Sequence, residues 1–125
     1  MRSILIIEDD PHQAELLAEM VTAVVPGDIK VDHVHDMAGA IDAVLRHKYD
    51  SLCLDLNLPD SRGPATYLSL RNSASGNIVV YTINNSAAGK VQEILKDNDV
   101  IVTKQEDPDI VSLQIVAGAY LGAAG

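Results

Sequence analysis

Glu8-Asp9, Asp55, Thr82 and Lys104 are the residues whose types and spacing could do chemistry together. Each follows or closes a short apolar run. Ile4-Leu5-Ile6-Ile7 leads into Glu8-Asp9, and Leu52-Cys53-Leu54 leads into Asp55. Ile78-Val79-Val80-Tyr81 leads into Thr82, and Val100-Ile101-Val102-Thr103 leads into Lys104. Runs of this length read as buried strands of a parallel sheet. In such sheets ligands sit outside the carboxyl ends of the strands, so residues there are placed to act. An aspartate can serve as a nucleophile toward phosphorus, giving an acyl phosphate. Phosphoryl transfer otherwise needs positioning and charge neutralisation. Carboxylates gathered from neighbouring strand ends repel one another and call for a cation. Oxygen donors with room for water suit Mg²⁺. Held by Glu8, Asp9 and Asp55, it would bridge one phosphoryl oxygen. Lys104 would neutralise a second, and the Thr82 hydroxyl would donate to a third.

The rest of the chain reads as the support for these residues. Ser3 to Ile7 is a first strand. Asp10-Pro11, with Gln13 three residues after Asp10, reads as N-cap, proline at N1 and a variant capping box. The helix so opened runs to about Val25 and buries Leu17, Met20, Val21 and Val24, until Pro26-Gly27-Asp28 stops it. Ile29 to Val34 is a second strand. Asp36 caps a helix burying Ile41, Val44 and Leu45, with His47-Lys48 at the negative pole of its dipole. Ser51 to Leu54 is the third strand, after which Pro59 and Gly63 turn the chain. Gly63-Pro64 opens a helix to about Arg71, followed by a loop from Asn72 to Gly76. Asn77 to Thr82 is the fourth strand, and Ser86 caps a helix containing Val91, Ile94 and Leu95. Asp99 to Thr103 is the fifth strand, and Asp107-Pro108 starts a last helix to about Gly122. Five strands alternating with five helices predict an α/β doubly wound parallel sheet with right-handed crossovers. With strand order 2-1-3-4-5, the switch point between strands one and three brings Glu8 and Asp9 beside Asp55.

Composition narrows the function classes. The 125 residues carry a net charge of −9, with nine basic residues and no cluster of them. That balance disfavours nucleic acid and anionic membrane surfaces, both of which reward grouped Lys and Arg. The apolar runs are too short to span a bilayer, and Met1-Arg2-Ser3 leads straight into a strand rather than a leader peptide. The single Cys53 sits in an apolar run and reads as a small buried hydrophobe. One domain over residues 1–125, working in the cytoplasm, is the expectation.

The acid pair Glu8-Asp9, the stretch from Asp55 to Gly63 with its Leu58-Pro59, Thr82 and Lys104, in this order and each at a strand end, resemble a response regulator receiver domain of two-component signal transduction. The resemblance covers essentially the whole chain. It implies a flavodoxin-like fold and phosphoryl transfer from a histidine kinase or histidine phosphotransfer protein to Asp55. It implies Mg²⁺ on Glu8, Asp9, Asp55 and the backbone carbonyl of Asn57, with Thr82 and Lys104 on the phosphoryl oxygens. It implies no enzyme activity beyond the domain's own phosphorylation and dephosphorylation, and an output through changed affinity for a separate protein.

Three positions depart from the family pattern. Gln105 follows Lys104 where the family usually has proline, often with a cis bond. A cis bond before a non-proline residue costs about 3–4 kcal/mol, so a trans bond is expected. Ile83 stands where a small residue is usual and would narrow access to Asp55. Ile101 stands where the family has its switch aromatic, so signalling by aromatic rotation is not expected.

Other readings of the same residues are a phosphorylation-independent docking module, a flavodoxin-like cofactor carrier and a small Mg²⁺-dependent phosphatase with an aspartate nucleophile. The phosphatase wants a second aspartate two residues on, where this chain has Asn57. The carrier wants hydroxyls and amides around a phosphate, where this chain has Glu8-Asp9-Asp10. Asn57 and Asn84 fall where relatives tune dephosphorylation, and either also suits a turn. His33 and His35 flank Val34 on one face of a strand, read as a solvated edge without a third metal ligand. The last helix is apolar nearly all round, and its outer face is read as a surface for a second copy or another partner.

Overall fold

The computed structural model describes residues 2–24, 28–82, 85–96, 99–103 and 115. The chain runs β1 (Arg2–Ile7), α1 (Pro11–Val24), β2 (Ile29–Val34), α2 (Met37–Arg46) and β3 (Ser51–Leu54). It continues through β4 (Asn57–Leu58), β5 (Ser61–Arg62), α3 (Pro64–Ser73), β6 (Asn77–Thr82), α4 (Asn85–Gln92) and β7 (Val100–Thr103). Five strands form one parallel sheet in the order β2-β1-β3-β6-β7. That is the expected order, with a small antiparallel pair, β4-β5, inserted after β3.

Period-two alternation sorts the strands' side chains onto two faces. Leu5, Ile7, Leu52, Leu54, Ile78 and Val80 pack with Met37 and Ala40 of α2, Tyr67 and Leu70 of α3, and Val91 of α4. Ile4, Ile6, Cys53, Val79, Tyr81 and Val102 pack with Ala14, Leu17 and Val21 of α1 and with Ile115. Helical layers on both faces are what an all-parallel sheet requires. The last helix expected from Asp107 to Gly122 lies outside the described residues except for Ile115, which is helical and fully buried. Its proposed partner face lies outside them as well. No helix among the described residues is long and apolar enough to cross a membrane.

Several local expectations need correction. The buried line of α1 is Ala14, Leu17 and Val21, and Val24 is exposed, because the stripe begins one turn earlier than the large side chains imply. In α2 the buried residues are Met37 and Ala40. Leu45 is 74% exposed, because five residues of helix carry it about 140° around the axis from Ala40. Ser86 sits inside α4, which begins at Asn85, and is not its cap. Gln13 does not close a capping box: its Nε2 donates to the Tyr81 hydroxyl at 3.0 Å, across to β6. Asp10 does cap α1, accepting from the His12 amide at 2.9 Å.

The start of α2 ties the sheet edge to the loop after Asp55. Asp36 accepts from the Gly39 amide at 2.7 Å. Asp60, from the β4-β5 turn, accepts from the amides of Met37 at 2.8 Å and Ala38 at 3.0 Å. Two carboxylates thus satisfy three of the amides that a helix start leaves open. Those two amide donors hold the Asp60 carboxyl below the usual carboxylate range. Its contribution to stability is therefore present above that range and is lost as pH falls through the lowered folded value. Asp36→Ala is expected to cost about 1 kcal/mol in urea unfolding. Asp60→Asn should flatten the acid limb of the stability profile, with little effect at the same pH on the Asp36 contribution.

Candidate functional site

The sheet delivers Glu8 and Asp55 to one edge. The Glu8 amide donates to the Val34 carbonyl at 3.1 Å, and the Asp55 amide donates to the Ile7 carbonyl at 3.1 Å, so both residues extend the ladder by one step. β1 lies between β2 and β3, and the connections out of β1 and β3 diverge to opposite faces of the sheet. This is the switch point at which ligands sit in doubly wound folds. Glu8 and Asp55 are 3% and 4% exposed, whereas Asp9 is exposed. Carboxylate oxygens of all three lie within 4.8 Å of one another. At that spacing two like charges repel by roughly 3–4 kcal/mol in an effective dielectric of about 20. Three hard oxygen donors, one of them open to water, fit Mg²⁺ and do not fit a soft, thiolate-seeking metal.

The loop after Asp55 is built to hold its carboxylate. The Asn57 amide donates to Asp55 Oδ1 at 3.0 Å. The Gly63 amide donates to the Leu56 carbonyl at 3.0 Å, closing the β4-β5 excursion. Gly63 adopts φ 73° and ψ −157°, a region open in practice only to glycine, and so lets the chain turn directly into Pro64 at the start of α3. Ser61 and Thr66 join hydroxyls at 2.8 Å across the same turn, and Asp60 anchors it to α2.

Thr82 ends β6 and is 1% exposed. Leu54 pairs with Val80, so Thr82 stands one step beyond the level of Asp55 on the neighbouring strand. Thr82 itself pairs with Thr103, the last residue of β7. Lys104 is the next residue in the chain. It lies outside the described residues, as do Ile83, Asn84 and Gln105. Ile101 is half-buried against the α2–α4 side of the core. The structure thus brings together Glu8, Asp9, Asp55 and the Asn57 backbone, with Thr82 on the adjoining strand.

Two supporting contacts had no local signature in the sequence. His33 Nε2 donates to the Glu8 carbonyl at 2.8 Å, steadying the backbone of a buried acid. The Gln13–Tyr81 hydrogen bond joins α1, which follows the acidic pair, to the strand that ends in Thr82. Each links residues far apart in the chain, so only the fold reveals it.

The comparisons with known proteins agree with this geometry. The response regulator receiver domain family matches residues 4–115. The response regulator ArlR of Staphylococcus aureus is 30% identical over 107 residues, covering 86% of this chain and 48% of that protein. The chain therefore spans about half the length of the curated relatives it matches. Among solved structures, a sensor protein from Polaromonas sp. JS666 superposes with TM-score 0.73 at 29% identity, covering 97% of this chain and 98% of the other. The CheY-like response regulator receiver domain from Methylobacillus flagellatus gives 0.72 at 24% identity, with 94% and 92% covered, and attests to the fold. Sheet order, strand-end acids and a family match over most of the chain converge: the protein belongs to the response regulator receiver domain family.

Proposed function

We propose that Asp55 is the phospho-acceptor, taking a phosphoryl group from the phospho-histidine of a kinase or phosphotransfer protein. The observation that carries this reading is the buried Asp55 carboxylate at the end of β3, with Glu8 and Asp9 oxygens within 4.8 Å. A carboxylate oxygen of Asp55 forms the new P–O bond as the P–N bond of the donor breaks, and the departing imidazole takes up a proton. The Asn57 amide on Oδ1 fixes the carboxylate's orientation before attack. Thr82 would donate to one phosphoryl oxygen, and Lys104 would neutralise another. Glu8, Asp9, Asp55 and the Asn57 carbonyl would hold Mg²⁺, which when bound neutralises charge on the phosphoryl oxygens. The modified domain would then alter its affinity for a downstream protein, in the cytoplasm where such donors work.

Intact mass spectrometry after incubation with acetyl phosphate tests the cation requirement. Wild type should gain one phosphoryl group with Mg²⁺ and none when the cation is chelated. Glu8→Gln should lower the labelling rate by about tenfold or more, because it removes a charged oxygen donor. Full labelling without Mg²⁺ would contradict the reading. If labelling fails in wild type but appears in Ile83→Ala, the bulk beside Thr82 is the block. Failure in both returns the docking module.

A further inference from the structure

His33, in β2, and His35, the residue after its end, stand at the open edge of the sheet. Both are exposed, with ring centroids 4.6 Å apart and ring planes at 80° to each other. His33 Nε2 lies 2.8 Å from the Glu8 carbonyl oxygen. A carbonyl only accepts, so Nε2 carries a proton, and Nδ1 is the ring nitrogen whose lone pair a cation would take. One ring N–H held by a backbone carbonyl is the arrangement that fixes tautomer and orientation in metal-ligating histidines.

The spacing agrees. Metal–nitrogen bonds of about 2.0–2.1 Å place the centroids of two cis imidazoles roughly 4.5–5 Å apart when the angle at the metal is near 90–100°. An angle near 90° belongs to tetragonal Cu²⁺ and Ni²⁺ sites, and Cu²⁺ heads the affinity order for nitrogen donors. The net charge of −9 favours any cation at the surface.

We propose that His33 and His35 form a chelating site for a late first-row divalent cation, Cu²⁺ above Ni²⁺, with water completing the coordination. The site differs in donor chemistry from the acidic cluster: imidazole nitrogens select borderline metals, whereas Glu8, Asp9 and Asp55 offer hard oxygens. The two adjoin through the His33–Glu8 hydrogen bond. A cation on Nδ1 withdraws electron density from the ring and strengthens the Nε2–H bond to the Glu8 carbonyl. Occupancy would thereby tighten the strand edge onto the acidic loop.

Titration of the full chain with Cu²⁺, in excess Mg²⁺ to occupy the carboxylates, tests this, with electron paramagnetic resonance counting bound nitrogens. The His33→Gln/His35→Gln double variant supplies the background from any other copper-binding group. Wild type should bind one additional Cu²⁺ through two nitrogens. His33→Gln and His35→Gln should each weaken that ion by about tenfold or more, while His12→Gln and His47→Gln leave it within twofold. His35 is exposed and outside the strand, so its variant keeps the fold, which circular dichroism checks. A one-nitrogen signal in wild type, unchanged affinity in His35→Gln, or loss in His12→Gln or His47→Gln would overturn the proposal.

Discussion

Replacing Asp99 with alanine is expected to destabilise the domain by about 3–5 kcal/mol, read as a lower midpoint in urea unfolding. The carboxylate lies just before β7, with its side chain 2% exposed. It accepts from Arg71 Nη1 at 2.9 Å on both oxygens, from the Ile78 amide at 2.8 Å and from the Tyr67 hydroxyl. Arg71 Nη2 donates in turn to the carbonyls of Ala74 at 2.6 Å and Gly76 at 2.9 Å, and Tyr67 accepts from the Lys96 amide at 2.9 Å. One anion therefore joins α3, the loop into β6 and the approach to β7. Removing it leaves a guanidinium that is 16% exposed without its counter-charge, and a buried amide and phenol without their acceptor. Replacing both Asp99 and Arg71 by leucine should cost less than the sum of the single replacements, because neither charge is then stranded.

The same network predicts behaviour at high pH. Burial, and after it the hydrogen bond to Asp99, push the Tyr67 phenol up to about 12. Tyr49, desolvated and bonded to Asp32 at 2.6 Å, is likewise raised to about 12. A folded value above the unfolded one means that the stability is complete below about 10 and is lost as pH rises toward 12. An absorbance titration should show two of the four tyrosines ionising late, together with alkaline unfolding.

Gly76→Ala carries the second large expected effect. A Cβ there would collide with the Tyr49 carbonyl oxygen and stand 3.1 Å from the Asp50 carbonyl carbon and oxygen. These are backbone atoms and cannot swing aside. Asp50 is held from both sides: its amide donates to the Ser3 carbonyl at 2.9 Å, and its carbonyl accepts from the Asn77 amide at 3.2 Å. Its Oδ2 also accepts from the Ser3 amide at 2.8 Å. Relief therefore requires β6 to separate from the residues entering β3. The cost is expected at roughly 3 kcal/mol, the upper end for overpacking. Gly89→Ala, where a Cβ would meet nothing within 4 Å, should be neutral or slightly stabilising in the same assay.

The two replacements act at the amino ends of the strands, away from Asp55, and that end was the less legible in the sequence. The apolar runs, the caps at Asp10 and Asp36 and the acids at the strand ends are local signals. From them the strand order and the meeting of Glu8, Asp9 and Asp55 followed, because a parallel sheet leaves few ways to connect alternating elements. Asp99 read only as the start of a strand, since Tyr67 and Arg71 precede it by 32 and 28 residues. Asp60 carries no local signal of its role, since its carboxylate serves a helix more than 20 positions earlier. Leu45 and Val24 read as core because large apolar side chains mark a stripe, whereas Ala40 and Ala14 are the residues buried. Polar partners distant in sequence, and small residues at tight helix contacts, leave no periodic trace. Lys104 remains an assignment from the sequence.

The most direct test locates the phosphoryl group. The chain is incubated with acetyl phosphate and Mg²⁺, reduced with borohydride to convert any acyl phosphate to an alcohol, digested and mapped by mass spectrometry. The predicted result is one modified residue, Asp55, with no modification in Asp55→Asn while Glu8 and Asp9 stay unmodified in both proteins. A reduced residue at Glu8 or Asp9, or modification that persists in Asp55→Asn, would contradict the assignment of Asp55 as the acceptor.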